Sequence, residues 1–280
     1  KPNEDGRVES EGTVAMWIRP ARPMLNRGHP LARGLIGAWP MWVGGSTGSE
    51  PNQASPGRFD LGAVGGPGRI VSPFGKAMKY VAASSQAHST SGLAGTPAWP
   101  VSCFFIGRFP VTGASRCVGR WGSEPNYDWL VSRGGASEND FGVLVGNGAA
   151  GTYYNFWYLS NTSPAGWFTC LYTQASWAAG PFLYLNGARL DLIHVPDASL
   201  TVVQNQAQLR LAMTGDGNFF NFEHAGSWLW NRVLPAHEAA SLHADPWGMY
   251  RPAKLAVRGA QAVASHAYYY RNFVAGRAHA

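Results

Sequence analysis

Short runs of β-branched and aromatic residues follow one another along this chain, roughly one every 10–15 residues, with Gly, Pro, Asn or Ser between them. From residue 101 onward, Val101–Phe109, Trp129–Ser132, Phe141–Val145, Thr152–Leu159, Trp167–Thr173, Pro181–Leu185, Arg189–Ile193, Leu209–Met213 and Ala225–Trp230 read as strands. Leu35–Trp42 and Met78–Ala83 read as earlier ones, while 44–75 reads as loop with at most short strands and 84–99 as loop. Asn186-Gly187 is a strong hairpin signal between two of these runs. One helix is expected, over Pro235–His243, with Pro in its first turn. Strands and helices do not alternate, so a doubly wound α/β fold is excluded, and the spacing argues for an all-β sandwich or barrel.

A chain of 280 residues buries a full core without disulfide or metal staples. Charged residues are only 14% of it, well below the usual quarter, which suits a surface covered by neighbours or one that handles carbohydrate. The charge is unevenly placed. Residues 35–245 carry eleven bases against twelve acids, whereas 246–280 hold Arg251, Lys254, Arg258, Arg271 and Arg277 and no acid. Nucleic acid is therefore not an expected partner except through that basic C-terminal arm. No apolar run reaches the ~18 residues needed to span a bilayer, and no signal-peptide pattern opens the chain. Cys103, Cys117 and Cys170 are odd in number and widely spaced, neither a disulfide framework nor a zinc set, and read as buried small hydrophobes, with one disulfide plus one free thiol as the alternative.

Several letter patterns fail for want of context. Gly146-Asn147-Gly148-Ala149-Ala150-Gly151 spells GxGxxG, but an aromatic strand follows where a helix is needed to hold a pyrophosphate. His237-Glu238-Ala239-Ala240-Ser241 lacks the second histidine of a zinc-protease helix. Glycoside hydrolysis needs paired carboxylates facing one cleft, and Glu138, Asp140, Glu124, Asp128 and Glu223 offer no such pair in register.

Three stretches resemble the laminin G-like branch of the concanavalin A-like lectin/glucanase superfamily, of the kind found in phage and phage-like proteins. Leu31–Trp39 resembles its opening strand, with Phe74–Met78 similar to the entry of the next. Gly166–Tyr172 with Phe182–Gly187 resembles its central hairpin, and Trp228–Pro235 with Glu238 resembles its closing strand and helix. The resemblance spans about 31–252 and implies an antiparallel two-sheet jelly roll, with Trp39, Trp167, Trp228 and Trp230 on the inner faces of the sheets. Residues 1–30 and 253–280 fall outside it as extended arms.

The resemblance implies calcium as the family's common ion, for which Asp216 and Asn218 are the best local oxygens; no other cofactor is expected. In a carbohydrate-binding member, Tyr153, Asn155 and Trp157, on one side of a strand, are the candidate sugar-binding residues. The arms carry Trp17, Tyr268, Tyr269, Tyr270 and Phe273, which need burial against a neighbour. Together these features point to a non-catalytic structural or decoration protein of a virion, assembling with itself or with other virion proteins. The alternative is a lectin-like adhesion module that binds a surface glycan, extracellular or at a cell surface. A glycosidase comes last, and no membrane partner is expected.

Overall fold

The computed structural model describes residues 24–41, 48–90, 93, 98–121, 127–134, 139–146, 154–160, 163–176, 178–195, 208–215 and 217–251. Trp17, Tyr268, Tyr269, Tyr270, Phe273, Tyr153 and Asp216 lie outside the described residues, and Asn155 is described only as strand backbone. In chain order the strands are β1 (Leu35–Trp39), β2 (Leu61–Val64), β3 (Gly68–Ser72), β4 (Gly75–Tyr80), β5 (Ala87–Thr90), β6 (Val101–Arg108), β7 (Ser115–Trp121) and β8 (Tyr127–Arg133). They continue as β9 (Phe141–Gly146), β10 (Tyr154–Leu159), β11 (Trp167–Gln174), β12 (Phe182–Leu185), β13 (Ala188–Arg189), β14 (Ile193–Val195), β15 (Leu209–Leu211) and β16 (Phe222–Trp230). One α-helix, α1 (Ala236–Ala244), follows.

The strands form two 8-stranded antiparallel sheets. The first runs β13-β12-β11-β6-β16-β4-β3 with β1 also on β16, and the second runs β14-β10-β9-β8-β7-β15-β5-β2. This is the expected all-β, two-sheet jelly-roll sandwich with one short helix. Asn186 and Gly187 make the turn between β12 and β13 with φ of 49° and 87°, the left-handed pair that Asn-Gly supplies.

Between the sheets lies the main core, with Cys103 and Phe105 from β6, Phe168, Cys170 and Tyr172 from β11, and Trp129, Val131, Val143 and Val145 from the facing sheet. The first sheet is also buried on its other side. Phe104, Ile106, Leu171, Trp228 and Trp230 pack there beneath Leu234, Ala239 and Leu242 of the α1 region and beneath Trp247, Met249 and Tyr250. β6 is therefore apolar on both sides and reads as an unbroken hydrophobic run.

The expected inner placement of the tryptophans needs correction. Trp39 does sit between the sheets. Trp228 and Trp230 share a side, but it is the outer one, and the half-buried Trp167 joins the same layer. The cause is a β-bulge between His224 and Gly226, which shifts the strand's alternation by one residue. Gly226 then leaves room for the Trp228 ring, since a Cβ there would lie 2.8 Å from it. Trp228 Nε1 donates to the Tyr250 hydroxyl at 2.9 Å, and Trp230 Nε1 donates to the Leu31 carbonyl at 2.6 Å. No helix among the described residues is long and apolar enough to cross a membrane.

Candidate functional site

The segment before β1 crosses the outer layer and meets the end of the described chain. Asn26 N–H donates to the Met249 carbonyl at 2.7 Å, and its side-chain amide donates to the Arg251 carbonyl at 3.1 Å. A 3-10 turn, Pro30–Ala32, begins with Pro and is capped by His29, whose Nδ1 accepts from Leu31 N–H at 3.2 Å. Gly34, at φ 73°, swings the chain into β1, and its carbonyl accepts from Asn231 N–H at 2.9 Å. The start of the fold is thus pinned to β16 and to the Trp247–Arg251 segment.

A cavity of about 470 Å³ opens at this seam, lined by Arg27, Gly28, His29, Pro30, Arg33, Arg232 and Glu238. Arg232 is held in a two-point fork by Glu238, with Nη1–Oε2 at 2.5 Å and Nη2–Oε1 at 2.9 Å. Its Nε donates to the Arg33 carbonyl at 2.8 Å, which fixes the backbone that carries Arg33. Arg27 Nη2 donates to the Ala54 carbonyl at 3.1 Å, which leaves its other N–H groups for a further acceptor. Asp245, whose charge acts on His29, forms an ion pair with Arg251 at 2.8 Å. Burial lowers the His29 pKa and Asp245 raises it against that. The cavity therefore holds guanidinium N–H groups in excess of carboxylate oxygens.

The sequence-predicted aromatic strand is β10. Trp157 pairs with Val143 of the inter-sheet core, packs half-buried against that core, and stacks on His194 of the edge strand β14 at 4.2 Å and 3°. On the opposite face Phe156 and Tyr158 stack at 4.7 Å, beside the exposed Ile193 and Val195 of β14. Of the calcium pair, Asn218 is an exposed residue of the turn bridged by Met213 and Phe219, and its carbonyl already accepts from Thr214 N–H at 3.0 Å. Among the described residues, no three His, Cys, Asp or Glu side chains are grouped so as to hold a metal ion. The companion of Asn218 in the expected calcium pair, Asp216, lies outside the described residues.

Sequence reasoning passed over Arg27, His29, Arg33 and Arg232. They belong to three separate turns, and Arg232 lies 199 residues from Arg33, so spacing carries no sign of the cluster. The one local hint is the pattern Arg232 to Glu238, read above as a closing motif.

The sequence matches no family model and no curated protein, so the phage-like branch of the resemblance rests on its motifs alone. Solved structures do match. Trypanosoma rangeli sialidase in complex with sialic acid superimposes with a TM-score of 0.57 at 13% identity, over 79% of this chain and 34% of that one. The binding domain of Paraclostridial Mosquitocidal Protein 1 gives 0.55 at 13% identity, over 76% and 52%. A botulinum neurotoxin type C structure, titled for cell entry that depends on two ganglioside molecules, gives 0.57 at 10% identity, over 76% and 52%. The chain spans a third to a half of these neighbours' lengths. At such identities the likeness shows the fold alone, a two-sheet β-sandwich.

Proposed function

We propose that this chain is a non-catalytic module that binds a surface glycan, extracellularly or at a cell surface, and that it does so at the Arg27–Arg33–Arg232 seam. The observation that carries the reading is the surplus of fixed donors in an open cavity of about 470 Å³, a size suited to a small ligand. Sugar hydroxyls and ring substituents are acceptor-rich and match such a lining. Two structures of this fold are titled for sialic acid and gangliosides, which favours glycan over other small ligands. The non-catalytic reading is supported by the carboxylates, several of which are tied up: Glu223 by Arg108, Asp128 by Arg120, Glu238 by Arg232 and Asp245 by Arg251.

A glycan array probed with the full chain and with the Arg27→Ala/Arg33→Ala double variant tests this. Binding that disappears in the double variant supports the seam. Binding that persists there but falls in Trp157→Ala moves the site to the β10 strand and its Tyr153–Asn155–Trp157 side. No binding to any glycan, with or without calcium, overturns the reading. The second reading, assembly within a virion, draws on the apolar arms; solution mass with and without residues 1–30 and 253–280 tests it.

A further inference from the structure

We infer that the seam cavity is selective for acidic sugars, with the Arg27 and Arg33 guanidiniums gripping the oxyanion of a carboxylated or sulfated saccharide. This rests on the glycan-binding reading above and names the class of ligand.

The argument starts from a charge inventory of the corner. Two acids face it, Glu238 and Asp245, and each is already neutralised, by Arg232 and Arg251 respectively. Arg27 and Arg33 remain, both exposed, and no carboxylate contacts either among the described residues. His29 uses Nδ1 as an acceptor toward Leu31 N–H, so in its neutral form it presents an Nε2–H donor. A guanidinium offers a planar fork of donors that matches a carboxylate or sulfate face-on. The cavity itself contains one worked case, because Arg232 holds the Glu238 carboxylate in such a fork.

Placement adds to the charge. Arg232 is a positioning residue: locked by Glu238, it binds the Arg33 carbonyl through Nε and packs its side chain against Gly34. The preorganised Arg33 backbone lowers the ordering cost that an exposed arginine would otherwise pay on binding.

Shape separates this ligand from nucleic acid. A duplex needs an extended basic face, and residues 35–245 carry twelve acids against eleven bases. A concave pocket of about 470 Å³ instead accepts a single charged ring.

Affinity measurements on the full chain test the inference, with polysialic acid, polygalacturonate, heparin, dextran and a DNA duplex as probes. At least one acidic polysaccharide binds, weakening as salt is added, and dextran does not. Polysialic acid or polygalacturonate in preference to heparin assigns a carboxylate; the reverse order assigns a sulfate. Arg33→Ala and Arg27→Ala each weaken that binding roughly tenfold or more, Arg33→Glu abolishes it, and Arg33→Lys retains part of it. Because Arg27 also anchors Ala54, the exposed Arg33→Glu variant is the control that separates charge from folding. Arg232→Ala lowers affinity without changing which polysaccharide is preferred, as positioning requires. Dextran binding as well as the acidic probes, unmoved by Arg33→Glu, overturns the inference and leaves glycan binding intact. No binding to any of the three acidic polysaccharides overturns the inference, and the glycan array then decides the glycan reading; duplex DNA binding with no glycan bound on the array overturns both.

Discussion

Arg120 and Asp128 are buried to 1% and 0% exposure and lie 3.1 Å apart on neighbouring strands β7 and β8. Burial presses the Arg120 pKa down while Asp128 holds it up, and both groups act on the buried Tyr172. Such a pair adds little net stability, but removing one partner strands a charge in the core. Asp128→Ala should cost about 3–5 kcal/mol, measured as a shift of the urea midpoint, whereas a double change to Arg120→Met with Asp128→Leu should recover most of it. An Asp128→Ala midpoint equal to the parent's would show that the pair is hydrated. Two of the buried histidines show how the fold responds to acid. His224 is fully buried and its pKa is lowered to about 3; His243, bound through Nδ1 to the Thr169 hydroxyl at 2.6 Å, is lowered to about 4. Burial is the first cause in each. The folded state refuses a proton that the unfolded chain takes up below about pH 6.5, so stability falls as pH drops from there, and the His243 contribution levels off near its folded value. Between pH 6.5 and 5 each group contributes about 2 kcal/mol of loss. His243→Asn should flatten the pH dependence of the urea midpoint by about that share, and an unchanged slope would remove His243 from the account.

At the scale of elements, what the sequence makes legible depends on how each strand is buried. β6, β9, β11 and the Asn186-Gly187 hairpin follow the expected runs because apolar residues fill their faces. β7 escaped notice because Ser-Arg-Cys-Val-Gly-Arg-Trp carries two arginines and an irregular register that break the apolar pattern, although Cys117 and Val118 join the inter-sheet core and Arg120 is buried against Asp128. β5, Ala-His-Ser-Thr, escaped for a similar reason: His88 is satisfied by the Tyr80 hydroxyl at 2.9 Å and the Gly48 carbonyl at 2.5 Å, long-range partners that no local pattern announces. In β16 the residues were legible but their direction was not, because the bulge at His224/Gly226 reverses which side Trp228 faces. The seam cavity was the least legible feature, since the contacts that build it join residues 24–34 to 231–251. The outer layer has its own test. Trp228 is fully buried between Phe104, Trp247 and the Tyr250 hydroxyl. Trp228→Ala should cost about 3–5 kcal/mol by leaving a cavity, and it should loosen the C-terminal segment first, read as faster amide exchange at Trp247–Arg251 than at β9. Equal exchange at both would mean the outer layer and the sandwich open together.

Across the whole molecule, the three thiols report on whether the two sheets behave as one unit. Cys103 and Cys170 come from β6 and β11 of the first sheet and Cys117 from β7 of the second, yet all three are free, fully buried members of the inter-sheet core. Burial pushes each thiol far above its ordinary range, and the Cys170 thiol also feels the other two. A thiol held neutral and out of solvent reacts with a thiol reagent only when the structure opens. These cysteines tell one cooperative unit from two, because no opening confined to one sheet's edge reaches them. With a small excess of an aromatic disulfide reagent at pH 8, none should react in the native protein. As urea is raised, all three should become reactive in a single transition that coincides with the change in tryptophan fluorescence, as expected for one cooperative core. Cys117 reacting at lower urea than Cys103 and Cys170 would mean the second sheet peels away alone. The sandwich would then be two weakly coupled layers, and the first sheet, with α1, the seam cavity and the Arg232–Glu238 fork on its outer side, would be the stable half.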